Sequence, residues 1–518
     1  MINGLLFISP SARQRRERFA VAPRIGPWFR PRARPRPSIR GFSRCRDRRA
    51  ASVLVGLLWC VALLSVVVLG VLHTATLDLR VVKNHGDAIQ ARYLALAGIE
   101  KAKALLYHDA ANRKRSAQNH SGELYDASRE FREVQFGRGE FSVLRQGSSE
   151  EPQGIVFGVA DEESRLNVNH ASSEELNKLY EINPAVVAAI VDYRDEDNRV
   201  STAGAESDYY VSLQPPYLPR NAPIATTREL LMIRGVSREL LFGEDANQNG
   251  ILDPEEDDGG ESDPPDNRDG LLDAGWSGLL TCDSAVRNIN AAGQERVNVQ
   301  TADENSLTQV RGISMELAKA IVAYRGQNRL ENLVDLLEVK AMSQPSQPPP
   351  QPSPTANRSG AGGPNVETRA ATPQAGQPAS HPAPQPTGPN LISEDLFMEI
   401  ADDVTTVAGS EQPGAVNINT ASVSVLMCLP GITRELAHAI VSHRKSAGFF
   451  PNVAWLLKVP GMNREILKQV APRVTTRSET FRILSEGKIK STATRKRIQV
   501  IVRVKSSDVE TLAYREDL

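Results

Sequence analysis

Cysteine is scarce: 518 residues include only 4, and none forms a CxxC pair. A zinc ribbon and a disulfide framework are thereby excluded, and Cys282 and Cys428 would pair only if the fold brought them together. Hydrolase and nucleotide motifs are missing too, with no Walker loop, no G-x-S-x-G and no HExxH. The 8 His are scattered, and His438 and His443, five apart on one helix, read as packing residues rather than zinc ligands. Nothing in the chain therefore requires an enzyme. Long apolar runs are limited to one, so a multi-span membrane protein is excluded. At 40% hydrophobic and 24% charged residues the usage is globular, with length for about three domains.

Net charge is also nearly absent, at −1, but its distribution is uneven. Residues 1–50 carry 14 Arg and no Lys against 2 acids, +12, which leaves 47 basic and 60 acidic residues, −13, for the rest. The Arg- and Pro-rich leader has no apolar period and cannot bury a core. It reads as a disposable leader or as sequence upstream of the true start, with an anionic-lipid contact or a transit-type segment as alternatives. Ala51 to Leu72 then runs 22 residues without a charge, enough to cross a bilayer as a helix. Arg44, Arg46, Arg48 and Arg49 before it keep the N-terminus cytoplasmic and export the body. Beyond the span, Ala91, Leu94, Ala95, Gly98, Ile99, Ala102 and Leu105 recur at three- and four-residue steps, so the helix is expected to continue with one buried face.

The most specific signal is an internal repeat. Leu166-Asn167-Val168-Asn169, Val297-Asn298-Val299-Gln300 and Val416-Asn417-Ile418-Asn419 open three copies, and 27 positions after the first Asn of each stands an Arg: Arg194, Arg325 and Arg444. Ser172, Asp303 and Ser422 are N-cap candidates, with Glu175 completing a capping box. Each copy is a helix, a short turn and a second helix, which resembles helix-hairpin-helix DNA-binding modules whose Gly-x-Gly turn offers N–H groups to a phosphate. The turns here read Tyr180-Glu181-Ile182-Asn183, Arg311-Gly312-Ile313-Ser314 and Pro430-Gly431-Ile432-Thr433; the second Gly is missing from all three and the first copy has neither. Charge also argues against DNA for the second copy, with 5 basic and 6 acidic residues from Val297 to Ala341, while Val416 to Arg477 has 8 basic and 2 acidic. Compact packing modules are the expected reading.

Between copies, Asp245, Asn247, Asn249, Asp253 and Glu256 fall at positions 1, 3, 5, 9 and 12 of a calcium loop, with the Ile251 carbonyl at 7 and Gly250 at the sharp turn. Calcium is a hard cation and takes such oxygen ligands. A second, weaker candidate holds Asp266, Asn267, Asp269 and Asp273, with Pro265 at position 1 and Trp276 at position 12. Residues 343–390 contain 13 of the chain's 33 Pro and read as an exposed spacer between the second and third copies. Strands are expected at Glu133–Phe136, Glu140–Arg145, Ile155–Val159, Thr480–Leu484 and Arg497–Arg503, the late pair completing the early sheet.

Taken together, RRAASVLVGLLWCVALLS, ALAGIEKAKALL, DEESRLNVN, the run from Glu206-Ser-Asp-Tyr-Tyr210 through Pro215-Pro-Tyr217 to Pro219-Arg-Asn221, and NINTASVSVLMCLPGITRELAHAIVSHR resemble the general secretion pathway protein K family, the large minor pseudopilin of type II secretion. The resemblance implies an α+β fold: a long N-terminal transmembrane pilin-like helix, a small antiparallel sheet, and a large inserted helical region of helix-hairpin-helix (SAM-like) modules. The expected division is leader 1–51, helix 52–108, sheet head 130–165 plus 472–505, modules one and two with calcium-type loops 166–342, linker 343–390 and third module 391–471. Implied too are cleavage by prepilin peptidase, calcium in the head, and partnership with other minor pseudopilins, the major pseudopilin and the inner-membrane secretion platform. Cleavage would fall between Ala51 and Ser52, where the family usually has Gly before the cut; Gly56 stands where pilins usually place Glu, an absence the family shares. The protein is expected in the inner membrane as a single-pass subunit with a periplasmic body, at the tip of the pseudopilus. The competing reading is a membrane-anchored DNA-binding or DNA-uptake protein.

Overall fold

The computed structural model describes residues 48–116, 122–147, 154–260, 264–341 and 389–516. The leader before residue 48 and the Pro-rich stretch 342–388 lie outside the described residues, and for Ala51 and Ser52 only the helical backbone is described. The chain divides into two compact units, Met1–Asp78 and Leu79–Leu518. Helix α1 spans Arg48–Ser116 and covers the predicted helix. In the first unit its side chains from Val53 to Leu72 are exposed, and it is the one helix among the described residues long and apolar enough to cross a membrane, at a mean hydropathy of 2.8.

In the second unit the continuation of α1 lies on an antiparallel sheet. Its strands are β1 (Val134–Phe136), β2 (Gly139–Gln146), β3 (Ile155–Val156), β4 (Ala160–Asp161), β5 (Thr480–Ile489), β6 (Arg495–Val504) and β7 (Val509–Arg515), ordered β1-β2-β5-β6-β7 with β3 on β2 and β4 on β5. The predicted helical face packs here: Ala95, Ile99 and Ala102 are buried against Val143, Phe481, Ile483, Ile498 and Val500. Gly98 is required at this contact, since a Cβ would collide with the Ser485 hydroxyl. The late strands complete the early sheet as expected, but the sheet runs past residue 505: Val509–Arg515 pairs with β6 as an additional edge strand.

The helical modules enter after Asp161 and leave at Thr480, and those points are neighbours, because Asp161 pairs with Phe481. Each module is wider than one helix pair. The second helices of the predicted pairs, α2 (Pro184–Arg194), α3 (Met315–Gln327) and α4 (Arg434–Ala447), are each followed by a further short-helix pair. Those pairs are Thr227–Met232 with Arg238–Phe242, Leu333–Glu338 with Glu394–Ile400, and Val453–Lys458 with Arg464–Val470. A two-residue parallel pairing then closes each module, Leu166-Asn167 on Leu280-Thr281, Val297-Asn298 on Val404-Thr405, and Val416-Asn417 on Val474-Thr475.

This closure corrects the expected division. The described residues on either side of 342–388 meet within module two. Lys340 bridges Asn390, the Ala341 N–H donates to the Pro389 carbonyl at 3.1 Å, and helix Glu394–Ile400, assigned from sequence to the third module, leads into the closing strand of the second while also packing against Val453–Lys458 of the third. The physical reason is that the second pair of module two needs its last helix and closing strand to bury Phe397, Ile400 and Val404. The modules share one apolar core running from Leu166 to Val474. Cys282 and Cys428 remain free thiols.

Candidate functional site

The repeated Asn and Arg have a common structural task. Asn167, Asn298 and Asn417 each accept the N–H two residues on at 2.9 Å, turning the chain out of the closing pairing. The Arg at the end of the second helix then takes the carbonyls that this turn leaves over: Arg325 donates to Val299 O at 2.9 Å, and Arg444 to Ile418 O and Ala421 O at 2.8 Å. Arg194 does the same with Val168 O and with Ala171 O at 2.6 Å. Ser172, Asp303 and Ser422 cap the first helices as predicted, with the capping box at Glu175 in place.

The hairpin turns keep their shape without the family of glycines expected for phosphate binding. Gly312 and Gly431 have φ of 92° and 72°, and Glu181, at the same place in the first copy, takes 53°, a conformation Gly adopts without strain. In two of these turns the Gly is exposed to solvent while its Cα faces a neighbouring helix. A Cβ on Gly312 would meet Leu396 at 3.0 Å and Ile400 at 3.2 Å, and one on Gly431 would meet Gln469 at 2.8 Å and Ile466 at 3.4 Å.

The basic charge of module three is spent on its neighbours. Lys468 pairs with Asp335 at 2.5 Å, Arg464 with Glu394 at 2.7 Å, Lys458 with Asp395 at 3.5 Å and Arg477 with Asp402 at 3.1 Å, all in module two, and Arg473 holds Glu175 of module one at 2.7 Å. The hydrogen bond to Asp335 pushes the Lys468 ammonium up. A matching junction ties the modules to the sheet. Asp161 accepts Ser478 Oγ at 2.5 Å and Asn417 Nδ2 at 3.1 Å, while Glu162 accepts Thr281 Oγ1 at 2.5 Å and pairs with Arg482 at 2.6 Å. Burial pushes the Asp161 carboxyl up; burial and then the Asp161 charge push Glu163 up.

The calcium-type loop follows helix Arg238–Phe242 and lies between that helix and the closing strand of module one. Asp245, Asn249, Ile251, Asp253 and Glu256 are all buried, an unusual state for three carboxylates. The Asp245 oxygens accept Asn249 N at 3.0 Å and Gly250 N at 2.9 Å; Asn247 Oδ1 accepts Asn249 N, and Asn249 Oδ1 accepts Ile251 N. Glu256 reaches across the loop to accept Asn247 N and Asp253 N, both at 3.1 Å. Burial raises Asp245 to about 6 and Glu256 to about 7. For Asp253 burial acts the same way but is outweighed by Arg497, 2.5 Å away, and the net shift is downward. An all-oxygen set in which the buried Asp245 and Glu256 have raised affinity for protons fits a hard cation: Asp245, Asn247, Asn249, Asp253, Glu256 and the Ile251 carbonyl would hold it.

The second loop follows the same plan, with one residue supplied from elsewhere. Asn267 Oδ1 accepts Asp269 N and Asp269 Oδ1 accepts Leu271 N, both at 2.8 Å, and Asp273 accepts Gly275 N at 2.9 Å. Asp266 binds the loop to itself through the Arg268 and Gly259 amides. Trp276 does not occupy the twelfth place: it is fully buried, with Nε1 donating to Tyr180 O at 3.0 Å. Glu244 stands there instead, accepting Asn267 N and Asp273 N at 3.1 Å each. That is the pattern of Glu256 in the first loop. A linear loop template cannot find a residue that precedes the loop in the chain, so Glu244 is not among those expected from the sequence.

The architecture defines a class: a long helix, apolar enough at its start to cross a membrane, continuing into a helix-on-sheet head, with three double helix-hairpin-helix modules inserted between neighbouring strands. Residues 292–346 and 412–475 match a family model of the helix-hairpin-helix motif. Residues 160–242 match the family model for type II secretion system (T2SS), protein K, the family its sequence resembles. Type II secretion system protein K of Aeromonas hydrophila is 49% identical over 53 residues, 10% of this chain and 16% of that protein. Endonuclease/exonuclease/phosphatase family domain-containing protein 1 of Bos taurus and of Homo sapiens is 27% identical over 186 and 185 residues, 35% of this chain. The chain spans only 28% of the length of those two relatives. A solved GspK-GspI-GspJ complex from enterotoxigenic Escherichia coli is matched at 12% identity and a TM-score of 0.38, over 83% of this chain and 99% of that one.

Proposed function

We propose that this protein is the minor pseudopilin at the tip of a type II secretion pseudopilus, a structural subunit for protein export across the outer membrane. It is held in the inner membrane by one span, with its body in the periplasm. The observation that carries the reading is the protein K domain at 160–242, seated where the inserted modules join a helix-on-sheet head. The partners in this reading are other minor pseudopilins, the major pseudopilin, the secretion platform and a prepilin peptidase acting between Ala51 and Ser52. Calcium occupies the loop of Asp245, Asn247, Asn249, Ile251, Asp253 and Glu256, and the loop of Asn267, Asp269 and Asp273 completed by Glu244. Its role is to fix the segment between the last helix and the closing strand of module one, where Asp245 and Glu256 are buried without an ion-pair partner among the described residues.

DNA binding is the weaker reading. Hairpin turns that lack the second Gly, and basic side chains already paired with neighbouring acids, leave little of the phosphate-binding surface such a role needs. The experiment is co-purification of the full chain with its own organism's other minor pseudopilins in detergent. A stable complex that withstands 0.5 M salt is expected; no complex, together with salt-sensitive retention of DNA, would overturn the reading.

A further inference from the structure

A cleft of about 300 Å³ lies between module one and the face of the sheet turned away from α1. Along β6, Ile498, Val500 and Val502 pack toward α1, and Gln499, Ile501 and Arg503 alternate with them on the other side. Four arginines, Arg165, Arg228, Arg482 and Arg515, and two aspartates, Asp245 and Asp283, border the cleft. Part of the positive charge is already answered. Glu162, with no exposure to solvent, pairs with Arg482 at 2.6 Å and with Arg165 at 3.7 Å, so one carboxylate serves two guanidinium groups. Arg515 donates to the carbonyls of Asn247 at 2.6 Å and Gln248 at 3.1 Å, which carry no charge. Gln499 also borders the cleft; it is 9% exposed, and its Nε2 has no hydrogen-bond partner among the described residues. On the same face of β6 the buried Nε of Arg503 lacks a partner as well.

A donor amide that has given up water with nothing in exchange, beside a surplus of guanidinium charge, is unfavourable in a folded interior. Burial, and then the neighbouring charge of Arg482, lower the Arg165 guanidinium to about 10, the response of a cation short of a counter-charge. We propose that the cleft binds a small oxyanion, a carboxylate or a sulfate- or phosphate-type group, between Arg165, Arg482 and Gln499. Guanidinium groups present paired N–H donors that match the oxygens of such anions, and their charge strengthens each bond. The Gln499 amide adds a neutral donor that has no other use. A volume of about 300 Å³ stands at the lower end of small-molecule sites, which suits a ligand of this size. The anion would join Arg165, at the entry into module one, to Arg482 of β5 and Gln499 of β6, and so fasten the inserted module to the sheet.

The test is equilibrium dialysis of the full chain in detergent against radiolabelled sulfate or radiolabelled succinate. Ionic strength is held constant with chloride, and millimolar calcium is present because Asp245 borders the cleft. The parent is expected to hold one equivalent of at least one of these anions; sulfate marks a tetrahedral oxyanion as the ligand, and succinate a carboxylate. Q499L keeps every charge and removes the orphaned donor, so it should fold at least as well as the parent and bind the anion about tenfold more weakly. A513E places a carboxylate on the wall of the cleft from β7, and should exclude the free anion. Binding of neither anion by the parent, or binding left unchanged in either variant, would overturn the proposal. Secretion plays no part in this assay, so a negative result would leave the reading of the protein as a pseudopilin untouched.

Discussion

Replacing Asn417 by Ala removes three hydrogen bonds from a side chain with no exposure to solvent: Nδ2 to Ser478 Oγ at 2.7 Å, Nδ2 to the Asp161 carboxylate at 3.1 Å, and Oδ1 from Asn419 N at 2.9 Å. At about 1 kcal/mol for each neutral bond and about 1.5–3 for the charged one, the loss is about 3–5 kcal/mol. The equivalent Asn298 is half-buried and makes two neutral contacts, with Val407 O at 3.2 Å and Gln300 N at 2.9 Å. Asn298→Ala should therefore cost about 1–2 kcal/mol. Hydrogen exchange read by mass spectrometry on the full chain separates the modules, because each peptide reports its own opening free energy. Amides of residues 416–475 in N417A are expected to exchange roughly two to three and a half orders of magnitude faster, while residues 297–341 in N298A accelerate about tenfold. The reasoning is refuted if both variants behave alike, or if N417A leaves the sheet strand Thr480–Ile489 as protected as in the parent.

Three further outcomes are expected. Asp245 and Glu256 have folded-state affinities near pH 6 and 7 in the cation-free protein, above the ordinary carboxylate range. The folded chain therefore holds protons that the unfolded chain has released, so without calcium its stability falls as pH rises from about 4 to 7. Calcium must displace those protons, and its affinity should weaken by about three orders of magnitude from pH 8 to pH 5; titration calorimetry giving equal affinities would contradict this. Glu244→Gln should lower the calcium count by one without touching the Asp245 loop, and an unchanged count by atomic emission would remove Glu244 from the ligand set. Replacing residues 342–388 by Asn-Gly should leave module two folded and add up to about 3 kcal/mol through a shorter loop; unfolding of 297–341 in that variant would show that the excursion is structurally required.

Much of the head was legible because its signals are local. The buried face of α1, the caps at Ser172, Asp303 and Ser422, and the sheet strands follow from spacing within a few residues. The Asn-to-Arg interval was visible as a repeat, yet its meaning was not, since the Arg targets are backbone carbonyls that carry no sequence identity. The closing pairs Leu280-Thr281, Val404-Thr405 and Val474-Thr475 are two residues long and find partners far along the chain, too short for any periodicity. Without them the Pro-rich stretch reads as a boundary between modules, although the residues that flank it, Lys340 and Asn390, pair with each other. Charge counting failed in the third module for a related reason: Lys468, Arg464 and Arg473 answer acids of modules one and two, and composition does not report pairing.

The central claim is a structural place in type II secretion, and the most direct measurement is the location of secreted substrates in cells lacking this chain. The account predicts that folded substrates collect in the periplasm, and that export returns with the full chain but not with one whose span from Val53 to Leu72 is replaced by a cleavable signal. Normal export in the deletion, with loss of DNA uptake instead, would contradict it.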